Sequence, residues 1–343
     1  MPVTILLTSA GAPGSAALIR ALHERTDHDV RVVGVDLRDE AIGRFRCDGF
    51  AVVPRSDDPG YADAVLAIAQ REGAAAVIPQ ASADLPGLAA AHARFAAAGI
   101  ALIAPSPEAV ALADSKLATM DRCRELGIRV PDYRVVAGGD ALIAAAIDLG
   151  YPDRELCMKP VVAAGSRGFH VLSAHVDRRS LLLDARPGPV PLSIDDAAAA
   201  LGDDPTELLV MELVTGAERT VDGFARGGET LFAHAKTREQ MRAGLAMRFE
   251  TIDDPALVDA ATALVRSFGL DGFFNAQFID DALLEINPRI STIVYQEDLD
   301  LAWLGVQAAL GRLDAADAAA AMARLRPGRI AIRYFDQVEF DPA

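Results

Sequence analysis

Residues 283–289 of this chain read Leu283-Leu284-Glu285-Ile286-Asn287-Pro288-Arg289. Residues i and i+2 of a strand point to the same face, so Glu285 and Asn287 present their oxygens side by side. The same alternation directs Leu284 and Ile286 to the core. Two hard oxygen donors followed by the guanidinium of Arg289 suit Mg²⁺ that carries a polyphosphate. The alternative is a half-buried strand with a polar face and no ligand.

The preceding stretch predicts a partner strand. Asn275-Ala276-Gln277-Phe278-Ile279 alternates polar and apolar residues, and Asp280-Asp281 is a turn signal. A loop of residues 280–282 pairs Gln277 with Glu285 and keeps polar and apolar faces separate, whereas a two-residue loop mixes the faces. We therefore predict one oxygen-rich patch made of Gln277, Glu285 and Asn287.

Size and composition limit the class of protein. The 343 residues are 51% hydrophobic and 24% charged, which indicates a globular chain of two or three domains. No apolar run reaches the length of a membrane span. The net charge of −16 disfavours nucleic acid and anionic membranes as partners. Three scattered cysteines without CxxC spacing fit the reducing cytoplasm.

The first hundred residues alternate strands and helices, which predicts an α/β domain with a doubly wound parallel sheet over residues 1–105. One helix is expected over Ala83–Ala97. The loop Ser9–Ser15 followed by Asp36 is a candidate dinucleotide-binding motif. Its glycine spacing is Gly-x-x-Gly, however, and not the Gly-x-Gly-x-x-Gly of that motif. The alternative is a glycine-rich turn at the carboxyl edge of the sheet, where it can line a substrate cleft.

Pro105-Ser106-Pro107 marks a boundary, beyond which the pattern becomes mixed α+β. We expect antiparallel strands over Glu207–Leu213, Glu218–Arg226 and Thr230–Thr237, and a late edge strand over Ile330–Phe335. Helices are expected over Pro255–Phe268 and Leu299–Leu313.

Two lysines and one turn have the chemistry of a nucleotide site. Lys159 ends a strand before a loop containing Gly165-Ser166-Arg167-Gly168, whose backbone N–H groups suit phosphates; the alternative is a hairpin turn. Lys116 lies early in a helix capped by Asp114, where a solvated lysine is the alternative. The strand Val210–Leu213, a glycine turn and Glu218 form a weaker signal for a site that holds a planar base and a ribose.

In this order, the pieces resemble the ATP-grasp superfamily, over residues 105–290. The Gln…Glu-x-Asn-Pro-Arg variant is most similar to the carbamoyl-phosphate-synthase-like branch and its small stand-alone relatives. The resemblance implies an N-terminal domain over residues 1–105 and a two-lobed ATP-grasp domain over residues 106–343. The latter would comprise a lid at about 130–210 and a catalytic lobe at about 211–343.

The resemblance also implies roles for individual residues. Phosphate contacts are expected from Lys116 and Lys159, beneath a closing loop that contains Gly165, Ser166, Arg167 and Gly168. The adenine hinge would be Met211, Glu212, Leu213 and Val214, with Glu218 on the ribose. Mg²⁺, with Mn²⁺ as an alternative, would bind Gln277, Glu285 and Asn287, and Arg289 would stabilise the transferring phosphoryl group.

The acceptor is expected along Lys236–Arg248, which is basic within an acidic protein. Arg242 and Arg248 are the main candidates to hold a carboxylate, ahead of Lys236 and Arg238, and the alternative is a solvated loop. His234 is a candidate general base, although a structural role is the more common one for such a residue.

The expected activity is therefore an ATP- and Mg²⁺-dependent ligase that joins a small carboxylate to an amine or ammonia through an acyl phosphate. The alternatives are a phosphotransferase on the same fold, a nucleotide-binding regulator without turnover, and a dehydrogenase. A homodimer is expected for enzymes of this kind.

Overall fold

The computed structural model describes residues 2–24, 28–161, 168–184, 190–242, 244–292 and 299–341. The chain forms two compact units. Unit 1 comprises Met1–Asp114, Glu218–Gln277 and Glu285–Ala343, and unit 2 comprises Ser115–Ala217 and Phe278–Leu284. Within the described residues, no helix combines the length and the apolar character needed to cross a bilayer. The predicted domain boundaries stay a prediction.

Unit 1 begins with a five-stranded parallel sheet in the order β3-β2-β1-β4-β5, as the alternating pattern predicts. Its strands are β1 (Val3–Leu7), β2 (Val30–Asp36), β3 (Gly49–Val52), β4 (Ala76–Ile78) and β5 (Ala101–Leu102). Ile5 and Leu7 belong to one core cluster and Leu6 to another, so both faces of the sheet are covered.

Six helices belong to this first segment. They are α1 (Ser15–His23), α2 (Gly43–Arg46), α3 (Tyr61–Arg71), α4 (Leu85–Ala90), α5 (His92–Ala97) and α6 (Pro107–Asp114). The prediction of one helix over residues 83–97 is wrong, because a 3₁₀ turn at Ser82–Asp84 precedes α4 and Ala91 separates α4 from α5. Leu88 in α4 and Phe95 in α5 are both fully buried in one cluster.

Unit 2 is built on a four-stranded antiparallel sheet in the order β6-β9-β7-β8. Its elements in chain order are α7 (Lys116–Glu125), β6 (Tyr133–Val136), α8 (Gly139–Asp148), β7 (Leu156–Pro160), β8 (His170–Leu172), α9 (Arg178–Leu183), α10 (Ile194–Leu201) and β9 (Leu208–Glu212). Helices α8 and α10 pack on one face around Leu142, Ala146 and Ala197.

The rest of the chain adds a six-stranded sheet in the order β14-β13-β10-β11-β12-β15. Its strands are β10 (Glu218–Arg226), β11 (Glu229–Thr237), β12 (Arg248–Ile252), β13 (Gly272–Ile279), β14 (Ala282–Asn287) and β15 (Ile330–Ile332). The accompanying helices are α11 (Pro255–Phe268), α12 (Leu301–Ala309) and α13 (Ala315–Met322). The expected edge position of β15 is confirmed.

The hairpin of β13 and β14 differs from its prediction in two respects. The strands are joined by residues 280–281, so the predicted three-residue loop is one residue too long. Leu283 is fully buried, whereas Leu284 is only half-buried, although Ile286 is buried as expected. Leu283 also donates its N–H to the carbonyl oxygen of Arg129 at 2.8 Å, so the outer edge of β14 is hydrogen-bonded at this residue. The pairing of Gln277 with Glu285 stays a prediction.

Candidate active site

The predicted metal ligands on β14 lie side by side. Asn287 Nδ2 donates to Glu285 Oε1 over 3.0 Å, and both residues are half-buried. The bond uses the nitrogen end of the Asn287 amide, which leaves its oxygen end as an acceptor. The i, i+2 spacing of the sequence therefore does bring these two side chains together.

Gln277 on β13 is held in the same way. Its Nε2 donates to Asn275 Oδ1 over 3.2 Å, which again leaves the amide oxygen as an acceptor. One carboxylate and two amide oxygens would be a hard donor set that fits Mg²⁺ or Mn²⁺, and the convergence of the three side chains on one ion stays a prediction. In the part of the chain that the structure describes, no group of three or more His, Cys, Asp and Glu is arranged to hold a metal ion. The predicted set contains only one residue of those types.

Arg289 follows β14 and contacts the N-terminal segment of unit 1. Its Nε donates to Ser82 Oγ over 3.1 Å, and its Nη1 donates to the carbonyl oxygen of Ile290 over 3.0 Å. Ser82 begins the 3₁₀ turn that follows β4. The predicted phosphoryl-stabilising arginine is therefore tethered to the carboxyl edge of the parallel sheet.

Next to Ser82, a polar cluster surrounds Asp84, which sequence reasoning missed. Asp84 Oδ2 accepts hydrogen bonds from Thr8 Oγ1 at 2.7 Å and from Ser9 Oγ at 2.8 Å. Burial raises the pKa of the Asp84 carboxyl, and those two hydrogen bonds oppose that effect. Ser9 has a left-handed backbone with φ of 47°, so Asp84 fixes a strained residue in the loop after β1.

Asp36 has a structural use in this loop. Its Oδ2 accepts from Gly11 N at 2.7 Å, and its Oδ1 accepts from Arg38 N at 3.0 Å. A Cβ at Gly11 would lie 2.9 Å from Asp36 Oδ2, so the glycine is needed for this close approach. Both oxygens of the residue expected to bind a dinucleotide ribose are thus engaged by the backbone, which favours the glycine-rich-turn alternative.

The expected substrate-binding arginines have protein partners. Arg248 Nη1 lies 2.5 Å from Glu239 Oε2, and Arg248 Nη2 lies 3.5 Å from Glu250 Oε2. The hydrogen bond from Thr237 and the one from Arg248 hold the pKa of the Glu239 carboxyl below its usual range. The Arg242 guanidinium lies 4.8 Å from the centre of the Phe335 ring. Their contact with a carboxylate substrate stays a prediction.

The other two basic residues of that stretch also have protein partners. Lys236 is fully buried, with Nζ 3.6 Å from Asp222 Oδ2, and its contact with a substrate stays a prediction. Arg238 Nε lies 3.4 Å from Oε2 of Glu218, the predicted ribose-binding residue. Arg238 therefore positions Glu218 through an ion pair in unit 1.

In unit 2, Lys159 of the predicted phosphate site and Met211 of the predicted adenine hinge lie on one face of the sheet. Cys157 pairs with Met211 in the register of β7 and β9, so Lys159 projects from the same face as Met211. Helix α7, which begins at Lys116, packs on that face through Leu117 and Met120. The helix is capped by Ser115 Oγ, which accepts from Ala118 N at 3.2 Å, so the expected cap at Asp114 is displaced by one residue.

The predicted adenine hinge, residues 211–214, spans the end of β9 and the two residues after it. Met211 and Val214 are buried, and Glu212 and Leu213 are half-buried. The Glu212 carbonyl oxygen accepts from Val214 N at 3.1 Å, and Leu213 N donates to the Glu155 carbonyl oxygen over a long 3.4 Å. The backbone of this segment thus bends tightly after the strand.

Of the predicted phosphate loop, Gly165, Ser166 and Arg167 lie outside the described residues. Gly168 has φ of +69°, and a Cβ there would lie 2.7 Å from Cδ of Pro160. Only glycine fits this position without displacement of the proline ring.

The cysteines do not provide a nucleophile. Burial raises the pKa of Cys157 to about 11 and that of Cys123 to about 12, and burial together with Asp48 raises the pKa of Cys47 to about 12. A thiol with such a pKa is protonated at neutral pH, and the thiolate is the reactive form. The chemistry of the chain must therefore rest on other groups.

Two segments of the chain match known protein families. Residues 5–103 match the family described as "PylC-like, N-terminal domain", and residues 204–330 match the family described as "ATP-grasp in the biosynthetic pathway with Ter operon". The carbamoyl phosphate synthase large chain of Mycobacterium tuberculosis (strain CDC 1551 / Oshkosh) is 29% identical over 235 residues, which are 65% of this chain and 20% of that relative. Residues 204–330 of this chain are therefore similar to an ATP-grasp family.

The similarity to the synthases is partial in length. The corresponding large chain of Vibrio cholerae (serotype O1, strain ATCC 39315 / El Tor Inaba N16961) is 25% identical over 245 residues, which are 69% of this chain and 22% of the relative. This chain thus spans 20% to 22% of the length of these two curated relatives.

Solved structures show the same fold. The N5-carboxyaminoimidazole synthetase of Staphylococcus aureus complexed with ADP superimposes with a TM-score of 0.66 at 14% identity, over 92% of this chain and 79% of that one. The L-amino acid ligase of Bacillus licheniformis gives 0.64 at 16% identity, over 96% and 78%. This chain therefore shares its α/β and α+β architecture with proteins to which its sequence is only 14% to 16% identical.

Proposed function

We propose that this chain is an ATP- and Mg²⁺-dependent ligase that joins a small carboxylate to an amine or ammonia. A carboxylate oxygen attacks the γ-phosphorus of ATP, the bond from that phosphorus to its bridging oxygen breaks, and ADP leaves. The amine nitrogen then attacks the acyl carbon, phosphate leaves with the electrons of the C–O bond, and the nitrogen loses a proton. The products are an amide, ADP and phosphate.

The observation that carries this proposal is the orientation of two amides. Gln277 and Asn287 each donate through nitrogen to a neighbouring side-chain oxygen, so both present oxygen as a ligand, together with the Glu285 carboxylate. Mg²⁺ bound there would neutralise phosphate charge during transfer.

Cationic side chains would supply the rest of the charge neutralisation. Arg289, fixed by Ser82, would stabilise the transferring phosphoryl group, and Lys116 and Lys159 would bind the ATP phosphates. Residues Gly165, Ser166, Arg167 and Gly168 would close over those phosphates. The backbone of Met211, Glu212, Leu213 and Val214 would hold adenine, and Glu218 would accept from ribose hydroxyls.

Arg242 and Arg248 are proposed to hold the carboxylate substrate. Arg248 would have to exchange at least one of its contacts with Glu239 and Glu250 for that substrate. Such an exchange is feasible because exposed ion pairs contribute little to stability. The L-amino acid ligase to which the fold is similar supports a carboxylate and an amine as the substrate classes.

The test is ADP release from purified protein across a panel of carboxylates, with ammonia or amines as acceptors. We expect ADP only when a suitable carboxylate is present, and a hydroxamate when hydroxylamine replaces the amine. Glu285→Gln should lower turnover by about 100-fold or more, because it removes the only negative charge among the three proposed ligands and so weakens the hold on Mg²⁺ and the transition-state stabilisation that the ion supplies. Glu125→Gln on the exposed side of α7 is the matched control and should leave turnover unchanged.

Three other results would contradict the proposal. A stable phosphorylated product formed without an amine would identify a phosphotransferase. ATP binding without turnover on any carboxylate would identify a regulator. Full activity of Glu285→Gln would remove the metal site from the reaction.

The proposal places the enzyme in the cytoplasm, because Cys47, Cys123 and Cys157 are free thiols. The expected homodimer stays a prediction that light scattering of the purified chain can check.

A further inference from the structure

A buried polar stripe crosses three adjacent strands of the six-stranded sheet. Lys236 on β11, Asp222 on β10 and Asn275 on β13 are all at most 2% exposed. Lys236 Nζ lies 3.6 Å from Asp222 Oδ2 and 5.5 Å from the centre of the Phe249 ring. The stripe ends at Gln277, two residues after Asn275 on the same face of β13.

Hydrogen bonds along this stripe allow one orientation of the Asn275 amide. Its Nδ2 donates to Asp222 Oδ1 over 2.7 Å and also to Thr220 Oγ1. An ionised carboxylate only accepts, and the Thr220 hydroxyl already donates to the carbonyl oxygen of Ala276 over 3.1 Å. Both neighbours therefore require the nitrogen end of Asn275, and its Oδ1 must face Gln277.

The same reasoning fixes Gln277. Because Asn275 offers an oxygen, Gln277 must turn its Nε2 towards Asn275, where the two atoms lie 3.2 Å apart. The Gln277 oxygen is then the end left for a ligand. A series of hydrogen bonds thus connects Asp222, through the Asn275 amide, to Gln277, the proposed metal ligand.

The ion pair at the start of the stripe is not explained by stability. Burial of two charges carries a desolvation penalty of several kcal/mol per ion, and well-packed apolar side chains often stabilise such a site equally well or better. Orientation of a polar partner is a use that apolar residues cannot replace.

We propose that Asp222 and Lys236 are positioning residues that fix Asn275 and, through it, turn the oxygen of Gln277 towards the metal. The inference rests on the assignment of Gln277 as a metal ligand in the proposed function. Lys236 is the ion-pair partner of Asp222, Asp222 sets the Asn275 amide, and Asn275 sets Gln277.

The first experiment measures Mn²⁺ affinity by electron paramagnetic resonance in the presence of a non-hydrolysable ATP analogue. The double variant Asp222→Asn/Lys236→Met removes both charges at similar volume, so no buried ion is left unpaired. We expect its Mn²⁺ affinity to fall about 10-fold or more, as for other groups that orient a metal ligand. Metal-free affinity for the analogue and the midpoint of thermal unfolding should change little.

A second variant keeps the inference testable if the double variant folds poorly. Asn275→Leu removes the amide at similar volume and leaves the ion pair in place, and it should lower Mn²⁺ affinity in the same way. An unchanged Mn²⁺ affinity in either folded variant would overturn the inference.

The sharpest test uses Gln277→Glu, in which both side-chain oxygens accept and no orientation is needed. In that background, adding Asp222→Asn/Lys236→Met should cause no further loss of Mn²⁺ affinity. A further loss as large as in the native background would assign the pair a merely structural role and overturn the inference.

Gln277→Ala separates this inference from the proposed function. If Gln277→Ala leaves Mn²⁺ affinity unchanged, the metal assignment itself is wrong. If Gln277→Ala weakens Mn²⁺ binding but the Asp222/Lys236 and Asn275 variants do not, only the positioning inference fails.

Discussion

Arg289 Nε donates a hydrogen bond to Ser82 Oγ over 3.1 Å, although 207 residues separate them in the sequence. The bond joins the end of the strand that carries Glu285 and Asn287 to the turn after β4. The guanidinium is thus held through Nε by Ser82 and through Nη1 by the carbonyl oxygen of Ile290.

Ser82→Ala should lower kcat for ADP release. A hydrogen bond to a charged group at a half-buried site is worth about 1–2 kcal/mol, which corresponds to a decrease of about 5- to 30-fold. The KM for ATP should change less, because the bond positions a group proposed to act in the transition state. Ser267→Ala, whose hydroxyl donates to the Leu264 carbonyl in its own helix, is the control. Equal effects of the two substitutions on kcat would contradict this role.

Glu218→Gln should raise the KM for ATP by about 3- to 10-fold, because a neutral amide is a weaker acceptor for ribose hydroxyls. The change also removes the charge that holds Arg238 Nε at 3.4 Å. Glu229→Gln, which loses an exposed ion pair with Arg266, should leave the KM unchanged. Titration with a fluorescent ATP analogue measures both variants, and unaltered binding by Glu218→Gln would exclude the ribose role.

Asp84 should make thermal stability depend on pH. Its pKa is raised in the folded state, so the folded state binds the proton more tightly than the unfolded state does. The resulting stabilisation is complete below the ordinary aspartate pKa and is lost as pH rises through the folded-state pKa. The difference in unfolding midpoint, native minus Asp84→Asn, should therefore decrease as pH rises over that window. A difference that stays constant or increases would contradict the raised pKa.

Gly305→Ala and Gly87→Ala should have opposite effects on stability. Both glycines lie in helices, where alanine is favoured by about 1 kcal/mol. A Cβ at Gly305 would lie 2.2 Å from Cζ of Phe273, whereas one at Gly87 meets nothing closer than 3.6 Å. Overpacking should therefore lower the free energy of unfolding of Gly305→Ala by about 1–3 kcal/mol. Helix propensity should raise the free energy of unfolding of Gly87→Ala. Thermal unfolding of both variants measures the two effects. A stabilised Gly305→Ala would show that the Phe273 ring can move aside.

Helix α11 was predictable because its signals are local. Asp254 caps it by accepting from Leu257 N, Pro255 follows at the first position, and Gly269 ends it with φ of 62°. The parallel sheet was predictable for a similar reason, since each of its strands is a short apolar run followed by a helix.

The elements that sequence reasoning missed depend on contacts between distant residues. The burial of Lys236 follows from Asp222 on the paired strand β10, and the position of Arg289 follows from Ser82. One signal was present in the sequence: Asp222 is enclosed by Val221, Gly223 and Phe224, and a buried carboxylate needs a partner.

The arrangement of unit 1 has a consequence for synthesis of the chain. Ile5, Leu7 and Ile78 of the parallel sheet share their core cluster with Phe224, Phe273 and Trp303. At about 5–20 residues per second, a ribosome needs roughly 15–60 s to pass from Ile5 to Trp303. Helix α1 covers part of this face early, through Leu18, Ile19 and Leu22, but the rest of the covering is missing for most of translation. The nascent chain should therefore depend on holding chaperones until α12 has emerged.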